Sequence, residues 1–403
     1  MFNLFGRKSA PASVEAYLPP WLRGPREEGF VRGYAEQVGE VYRTNPVGLR
    51  CVRLVSEAVG GLSVYSETDG AAELAAAPGL LEALATALLL HGNAYVRLIA
   101  DDQDRPRELV TLRPERCTIA ADARGQPAAI LYRAGGGTRA ERIALRDALY
   151  RRQAAHIRCV NPLDDHYGLG CLEAAVPAAS VHNRAARWNK ALLDNAARPS
   201  GALVYDTAER SNLSDAQFER LRSELEDQFQ GASNAGRPML LEAGLKWQAM
   251  ALTPAEMDFV SLKESAARDI ALAFGVPPVL VGLPGDATYA NAREAGRALY
   301  RQTVLPLATR ILAVLERMIG DWMGPARLAI DLDRVSELAE DRALLWSQVS
   351  GADFLTRAEK REQLGFASFD TPPAAAPRDE RGGAGASFDT PPAAATQDER
   401  GGA

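Results

Sequence analysis

From Pro46 onward, apolar residues return every three or four positions. Val47, Cys51, Leu54, Val55 and Ala58 fall on one side of a helix that Gly60-Gly61 closes. A second helix is predicted over roughly 79–90. The period then drops to two. Residues 94–99 alternate as a strand, and 108–112, 116–120 and 130–133 read as further short strands. Arg113-Pro114, Arg124-Gly125-Gln126-Pro127 and Gly135-Gly136-Gly137 supply the turns. Residues 45–160 therefore read as an α+β unit. The preceding stretch, 1–44, has Pro19-Pro20 and scattered glycines without a period, and reads as an irregular arm.

Helical spacing resumes over 171–197, with Pro177 near its start, and Arg198-Pro199-Ser200-Gly201 ends it. A short strand is expected at 202–205. A capping box at Ser214 and Gln217 then opens a helix whose apolar face is Phe218, Leu221, Leu225 and Phe229. Strands at 239–242 and 246–250 follow. A second box, Thr253 with Pro254 and Glu256, opens a helix that runs to Phe274 and stops at Gly275 and Pro277-Pro278. A glycine-rich loop, 279–291, leads into a long helix over roughly 290–323. Its buried face is Val304, Ala308, Ile311, Leu312, Leu315, Met318, Ile319 and Trp322. Pro306 lies inside it, and a kink is predicted there, because an interior proline removes a hydrogen bond and costs about 3 kcal/mol in a straight helix. Short helices fill 335–366. Beyond them, 367–384 and 386–403 are near-copies rich in Pro, Ala and Gly. Two copies are too few for a solenoid, so the tail reads as disordered.

Composition narrows the function. The 403 residues are 47% hydrophobic and 24% charged, an ordinary globular balance. The formal net charge is −6. A protein that grips duplex DNA normally carries a basic surplus, because phosphate neutralisation supplies most of the affinity. Either DNA is no partner, or it must pass without sticking. Cys51, Cys117, Cys159 and Cys171 include no C-x-x-C pair, so zinc and thioredoxin-type sites are not indicated. The first eight residues run apolar then basic, the reverse of a signal peptide. No apolar run reaches the roughly 18 residues a membrane span needs.

The motifs that carry catalysis are missing. There is no G-x-x-x-x-G-K-[ST] loop, so the chain is not the ATPase of a motor, and there is no G-x-S-x-G or H-E-x-x-H. Gly168-Leu169-Gly170 is half a dinucleotide fingerprint and reads as a turn. The strongest enzymatic alternative is a cysteine- or metal-dependent hydrolase using His156, Cys159 and His166, with Cys171 nearby. No general base stands at a fixed offset, so the bland reading is an anchored loop. Asp164-Asp165 reads as a solvated turn or helix cap. Arg184, Arg187 and Lys190 form a basic stripe, suited to phosphates or to carboxylates of another subunit. No cofactor, metal site or catalytic residue is expected.

An ordered set of short motifs adds to this reading. Asn45-Pro46-Val47 opens the first helix, and Leu90-His91-Gly92-Asn93-Ala94-Tyr95 and Arg113-Pro114-Glu115-Arg116 follow. Next come His156-Ile157-Arg158, Tyr167-Gly168-Leu169-Gly170, Trp188-Asn189 and Pro199-Ser200-Gly201. Phe274-Gly275-Val276-Pro277-Pro278, Thr288-Tyr289-Ala290-Asn291 and Leu355-Thr356-Arg357-Ala358-Glu359 complete the order. Over residues 40–366 the chain resembles the portal proteins of lambdoid long-tailed phages and the portal of a gene transfer agent. It departs from them at Ala358, Cys171 and the duplicated tail.

The resemblance implies a structural protein of the α+β portal fold, assembled as a dodecameric ring at one head vertex. An N-terminal arm (1–44) would precede a wing (45–179 and the kinked long helix, 292–335). Stem helices would be 180–198 and 253–275, with a small α/β clip between them (199–252). A tunnel loop (276–291) and a helical crown (336–366) would follow, then the tail (367–403). Gly282, Gly285, Asp286, Thr288, Tyr289 and Asn291 would face DNA. Implied partners are further copies of the chain, double-stranded DNA in the lumen, the major capsid protein, the large terminase and head-completion or adaptor proteins, with no membrane. The ring would nucleate head assembly in the host cytoplasm, pass DNA on packaging and ejection, and end in the virion or gene-transfer-agent particle.

Overall fold

The computed structural model describes residues 33–135, 139–194, 201–205, 245–249, 259–283 and 288–365, with isolated positions 219 and 223. The expected helix from Ser214, apart from positions 219 and 223, the strand at 239–242, the Thr253 cap and the duplicated tail lie outside the described residues. The chain divides into two compact units, Met1–Glu340 and Asp341–Ala403.

The first unit opens with α1 (Tyr34–Val38), which runs directly into one π-helical turn, Gly39–Arg43. The arm expected to be irregular through residue 44 is therefore helical from Tyr34. Glycines at 33 and 39 hid the pattern, but Val41 is fully buried. It sits against Gly48, where a Cβ would overlap the Val41 carbonyl.

Helix α2 (Pro46–Gly60) begins where Asn45 caps it, with Pro46 in the first turn. The Asn45 Oδ1 accepts from the Gly48 N–H at 2.9 Å. Its Nδ2 donates to Asn183 Oδ1 at 2.9 Å and lies 3.2 Å from His182 Nδ1. Asn183 in turn donates to the Glu40 carbonyl at 2.9 Å. One buried amide thus starts a helix and fastens it to residues 137 and 138 positions away in sequence.

Next come β1 (Val64–Ser66), α3 (Ala71–Ala75), α4 (Leu80–His91), β2 (Asn93–Ala100), β3 (Pro106–Leu112) and β4 (Cys117–Ala121). They are followed by β5 (Pro127–Tyr132), β6 (Glu141–Ala144), β7 (Ala154–Arg158), α5 (Leu172–Asp194), β8 (Gly201–Tyr205) and β9 (Leu245–Ala249). Strand β2 is central to a sheet ordered β3-β2-β7, and a second sheet is ordered β4-β5-β6, all antiparallel. Strand alternation assigns β2 to two cores at once. Ala94, Val96 and Leu98 join the helices, whereas Tyr95 points to the other side with Leu112, Ile119, Ile130 and Tyr167. The Tyr167 hydroxyl accepts from the Ile119 N–H at 2.9 Å and ties the second sheet to the loop before α5.

Helix α6 (Phe259–Ala273) packs on α5 and buries Ala266, Ala267, Ile270 and Ala271. Strands β8 and β9, which flank the undescribed stretch between these helices, pair antiparallel from Gly201 to Tyr205. The long helix is α7 (Tyr289–Leu299), a π-helical turn (Tyr300–Val304) and α8 (Leu305–Met323). Irregularity was expected at Pro306, and it occupies the turn before it. The proline follows the π turn inside continuous helical backbone, and the wider turn accommodates both its missing N–H and its ring against the preceding carbonyls. Every residue of the expected buried face is buried except Trp322, which is half-buried because it has a polar task. Its Nε1 donates to the Arg152 carbonyl at 2.8 Å, and the Arg151 guanidinium lies 3.9 Å over its ring. Arg152 closes the clamp on Asp321 at 2.6 Å. Strand β10 (Leu328–Ile330) then pairs with β1.

The second unit continues from α9 (Ala339–Ser350) to α10 (Arg357–Gln363). Thr356 and Glu359 form a reciprocal capping box on α10. The Arg342 guanidinium donates to the Leu364 carbonyl at 2.9 Å, tying the end of α10 back to α9.

Asn45→Ala removes a cap, worth about 0.5–2 kcal/mol. It also strands buried partners, worth about 1–3 kcal/mol. Chemical denaturation should show a loss of roughly 2–4 kcal/mol. A loss below about 0.5 kcal/mol, the range of an ordinary surface change, would refute the role given to this amide.

Candidate functional site

The loop leading into α5 crosses the α4–β2 junction at backbone contact. The Cys159 N–H donates to the Gly92 carbonyl at 2.8 Å, and the Cys171 N–H donates to the Leu89 carbonyl at 2.8 Å. Gly92 (φ +76°), Gly168 and Gly170 leave no room for side chains. A Cβ at Gly92 would overlap the Gly170 nitrogen, and one at Gly168 would overlap the Gly92 carbonyl. Gly168-Leu169-Gly170 is thus a close-approach motif, and its glycines face backbone.

Asn93 completes the crossing. Its Oδ1 accepts from the Gly168 N–H at 2.7 Å, and its Nδ2 donates to the Gly168 and His91 carbonyls at 2.9 and 3.0 Å. His156 Nε2 lies 2.9 Å from the same Oδ1, which makes the ring nitrogen the donor. The imidazole stacks on Tyr95 at 4.4 Å between centroids. Burial, with further help from Arg158, pushes the His156 pKa down to about 3, and burial does the same to His91.

This arrangement bears on the hydrolase alternative. His156 is a neutral donor whose Nε2 is engaged by Asn93. Burial raises the thiols of Cys159 and Cys171, the latter to about 11, so both stay protonated near neutrality. Cys159 Sγ lies 3.4 Å from the Arg310 guanidinium and 3.8 Å from the Leu88 carbonyl. Asp164 Oδ1 accepts from the His166 and Tyr167 N–H groups at 2.8 and 2.9 Å, the turn role expected of it. No group of three or more His, Cys, Asp or Glu side chains able to hold a metal occurs among the described residues.

Arg184, Arg187 and Lys190 are exposed along one side of α5, while His182, Asn183 and Ala185 are buried. Trp188 is half-exposed and stacks at 6.2 Å on Phe259 of α6. Of the loop residues, Gly282 ends a 3₁₀ turn, Pro278–Val281, at φ +76°. Gly285 and Asp286 lie outside the described residues. Thr288 has a local role that sequence reading did not give it: its Oγ1 accepts from the Asn291 N–H at 3.2 Å and caps α7. Tyr289 is the first residue of α7 and Asn291 is exposed. No described helix is long and apolar enough to cross a membrane.

Residues 46–365 match the model of the phage portal protein family. The chain belongs to the phage portal protein family. A Rickettsia felis protein is 38% identical over 345 residues, 81% of this chain and 88% of that one. Among solved structures, a chain in the neck of a native gene transfer agent particle, computed with C12 symmetry, is 43% identical. It superposes with a TM-score of 0.65 over 85% of this portal protein and 96% of that chain. A phage portal protein of the HK97 family from Corynebacterium diphtheriae is 19% identical, with a TM-score of 0.52 over 76% and 96%. That similarity shows the portal fold alone. Among the described residues of this portal protein, sequence reading missed the buried, hydrogen-bonded roles of Asn45, Asn93, His182 and Asn183. An asparagine directly after the glycine that ends one helix, at the first position of a strand, where its type is depleted, was the available signal at Asn93.

His91 and His156 titrate near 3 when folded and near 6.5 when unfolded. Unfolding therefore takes up protons below about 6.5, so their stabilisation is full above that pH and fades as pH falls toward 3. Between pH 6.5 and 4.5, above the carboxylate range, stability should drop by about 2 kcal/mol per histidine. Thermal unfolding across that window should show a shallower slope for His156→Gln, which keeps a donor to Asn93. An unchanged slope would contradict the assignment.

Proposed function

We propose that this portal protein forms a twelve-membered ring at one vertex of a phage-type head and serves as the passive conduit for DNA. The 43% identity to a chain from a twelvefold-symmetric gene-transfer-agent neck is the observation that carries this reading. At that identity, with nearly the whole related chain covered, the surfaces that close a ring are expected to be retained. A gene-transfer-agent particle is the favoured setting for the same reason. The role is structural. The missing phosphate loop assigns ATP hydrolysis to another component, which the large terminase would supply.

The wing would comprise 45–179 and 292–335, supported by the cores shared by α2, α4, α8 and β2. The stem would be 180–198 and 253–275, supported by α5 packing on α6. The clip would be 199–252, with the β8–β9 ladder at its base, offered to terminase and later to head-completion proteins. The crown would be 336–366, and the ring would also meet the major capsid protein. The tunnel loop, 276–291, would put Gly282, Gly285, Asp286, Thr288, Tyr289 and Asn291 toward DNA. Arg184, Arg187 and Lys190 suit backbone phosphates or a neighbouring subunit, and such contacts would be blind to sequence. The net charge of −6 per copy disfavours tight binding to a sliding polyanion.

Native mass measurement of the purified protein, with electron micrographs, should show rings of twelve. A stable monomer at micromolar concentration would refute the reading. A loop variant combining Asp286→Ala, Tyr289→Ala and Thr288→Ser keeps the hydroxyl cap on α7. It should form rings yet lower packaged or retained DNA at least severalfold. Normal DNA content would remove the loop from the channel.

A further inference from the structure

The second unit contains an open groove of about 330 Å³ between α9 and α10. Trp346, Val349 and Leu364 line its apolar part, and Arg357, Lys360 and Arg361 bring three cations to it. The groove is built rather than incidental. The Thr356–Glu359 capping box sets the start of α10, Lys360 Nζ donates to the Ser350 carbonyl at 3.1 Å, and Arg342 holds the Leu364 carbonyl. Trp346 is nonetheless 41% exposed. A large ring left half in water beside three cations fits a ligand that is aromatic and acidic together.

The chain carries such a ligand twice. Ser368-Phe369-Asp370-Thr371-Pro372-Pro373 recurs as Ser387-Phe388-Asp389-Thr390-Pro391-Pro392. Each copy sets one aromatic ring beside one carboxylate and follows them with two prolines. The prolines restrict the segment before it binds, which lowers the entropy lost on docking. The surrounding tail is acidic, with Asp379, Glu380, Asp398 and Glu399 outnumbering Arg378, Arg381 and Arg400. We propose that the groove between α9 and α10 is the docking site for the Phe-Asp-Thr-Pro-Pro motif of the chain's own tail. The phenyl ring packs on Trp346, and the aspartate meets Arg357, Lys360 and Arg361.

Chain connectivity favours this occupant over an unrelated partner. Leu364 lines the groove and Phe369 follows five residues later, so an extended chain reaches at most about 17 Å from the groove wall. Phe388 lies 24 residues beyond Leu364, an r.m.s. reach of roughly 25–30 Å for a flexible chain. Tethers of this length hold a motif at millimolar effective concentration, so an intrinsically weak contact suffices. The second copy raises occupancy of the same groove or reaches the groove of a neighbouring copy. The proposal does not rest on the ring, and native mass of the same samples tests the ring separately.

The test is hydrogen exchange of the full-length protein, comparing wild type with the Phe369→Ala/Phe388→Ala double variant. Amides over residues 344–364 should exchange about tenfold faster in the variant, as expected for losing a ligand at about ten times its Kd. A synthetic Ser-Phe-Asp-Thr-Pro-Pro peptide in excess should restore protection, and the same peptide with Ala for Phe should not. Exchange that is the same in both proteins would overturn the proposal, whether the groove is then open or filled by another copy. Faster exchange in the variant that neither peptide reverses would overturn it as well.

Discussion

The crossing of the Gly92 and Gly168 backbones is the contact on which the sheets and helices of the first unit depend. It joins the end of α4, the start of β2 and the entry to α5 within one cluster of hydrogen bonds. Two chains can approach this closely only where Cβ atoms are absent, and approach also desolvates their amides. Asn93 resolves that cost because its one amide satisfies groups on both strands. His156 adds a third segment and stays neutral, so no buried charge weakens the junction.

A second buried amide, Asn45, has the same logic halfway along α5. It caps α2 and holds Asn183 near the middle of α5. The basic stripe at Arg184, Arg187 and Lys190 begins at the next residue. An exposed stripe keeps a fixed direction only if the opposite side of its helix is locked. His182, Asn183 and Ala185 supply that lock, and α6 supplies more of the buried face. Residues on the buried side of α5 thereby set where the cations point.

The long helix shows a different compromise. Its π-helical turn at Tyr300–Val304 takes the irregularity that Pro306 imposes, and the apolar face resumes in register from Leu307 to Ile319. The wider turn keeps the proline ring clear of the preceding carbonyls inside a continuous helix. The glycine-rich loop before α7 ends at Thr288, whose hydroxyl caps the helix. A residue read as lumen-facing thus also decides where the helix starts.

Much of this protein was determined locally and could be read from its sequence. Helix α2, the β2–β5 strands and the buried face of α8 follow from apolar period, because each pattern reports which side of one element meets a core. The absence of a phosphate loop and the acidic balance are likewise properties of composition. Other features needed the tertiary structure. Strands β1, β6, β7 and β10 are three to five residues long and are defined by distant partners, such as β7 by β2. The helix from Tyr34 was hidden by the glycines at 33 and 39, and the burial of Val41 against Gly48 shows only in the folded chain. The half-fingerprint at Gly168 read as a turn and the His–Cys group as an anchored loop, but that Gly92 and Asn93 are what they pack against appears only in the fold. Hydrogen-bond partners and desolvation are set by residues remote in the chain, so only the folded molecule decides whether a glycine or histidine is a site or a joint.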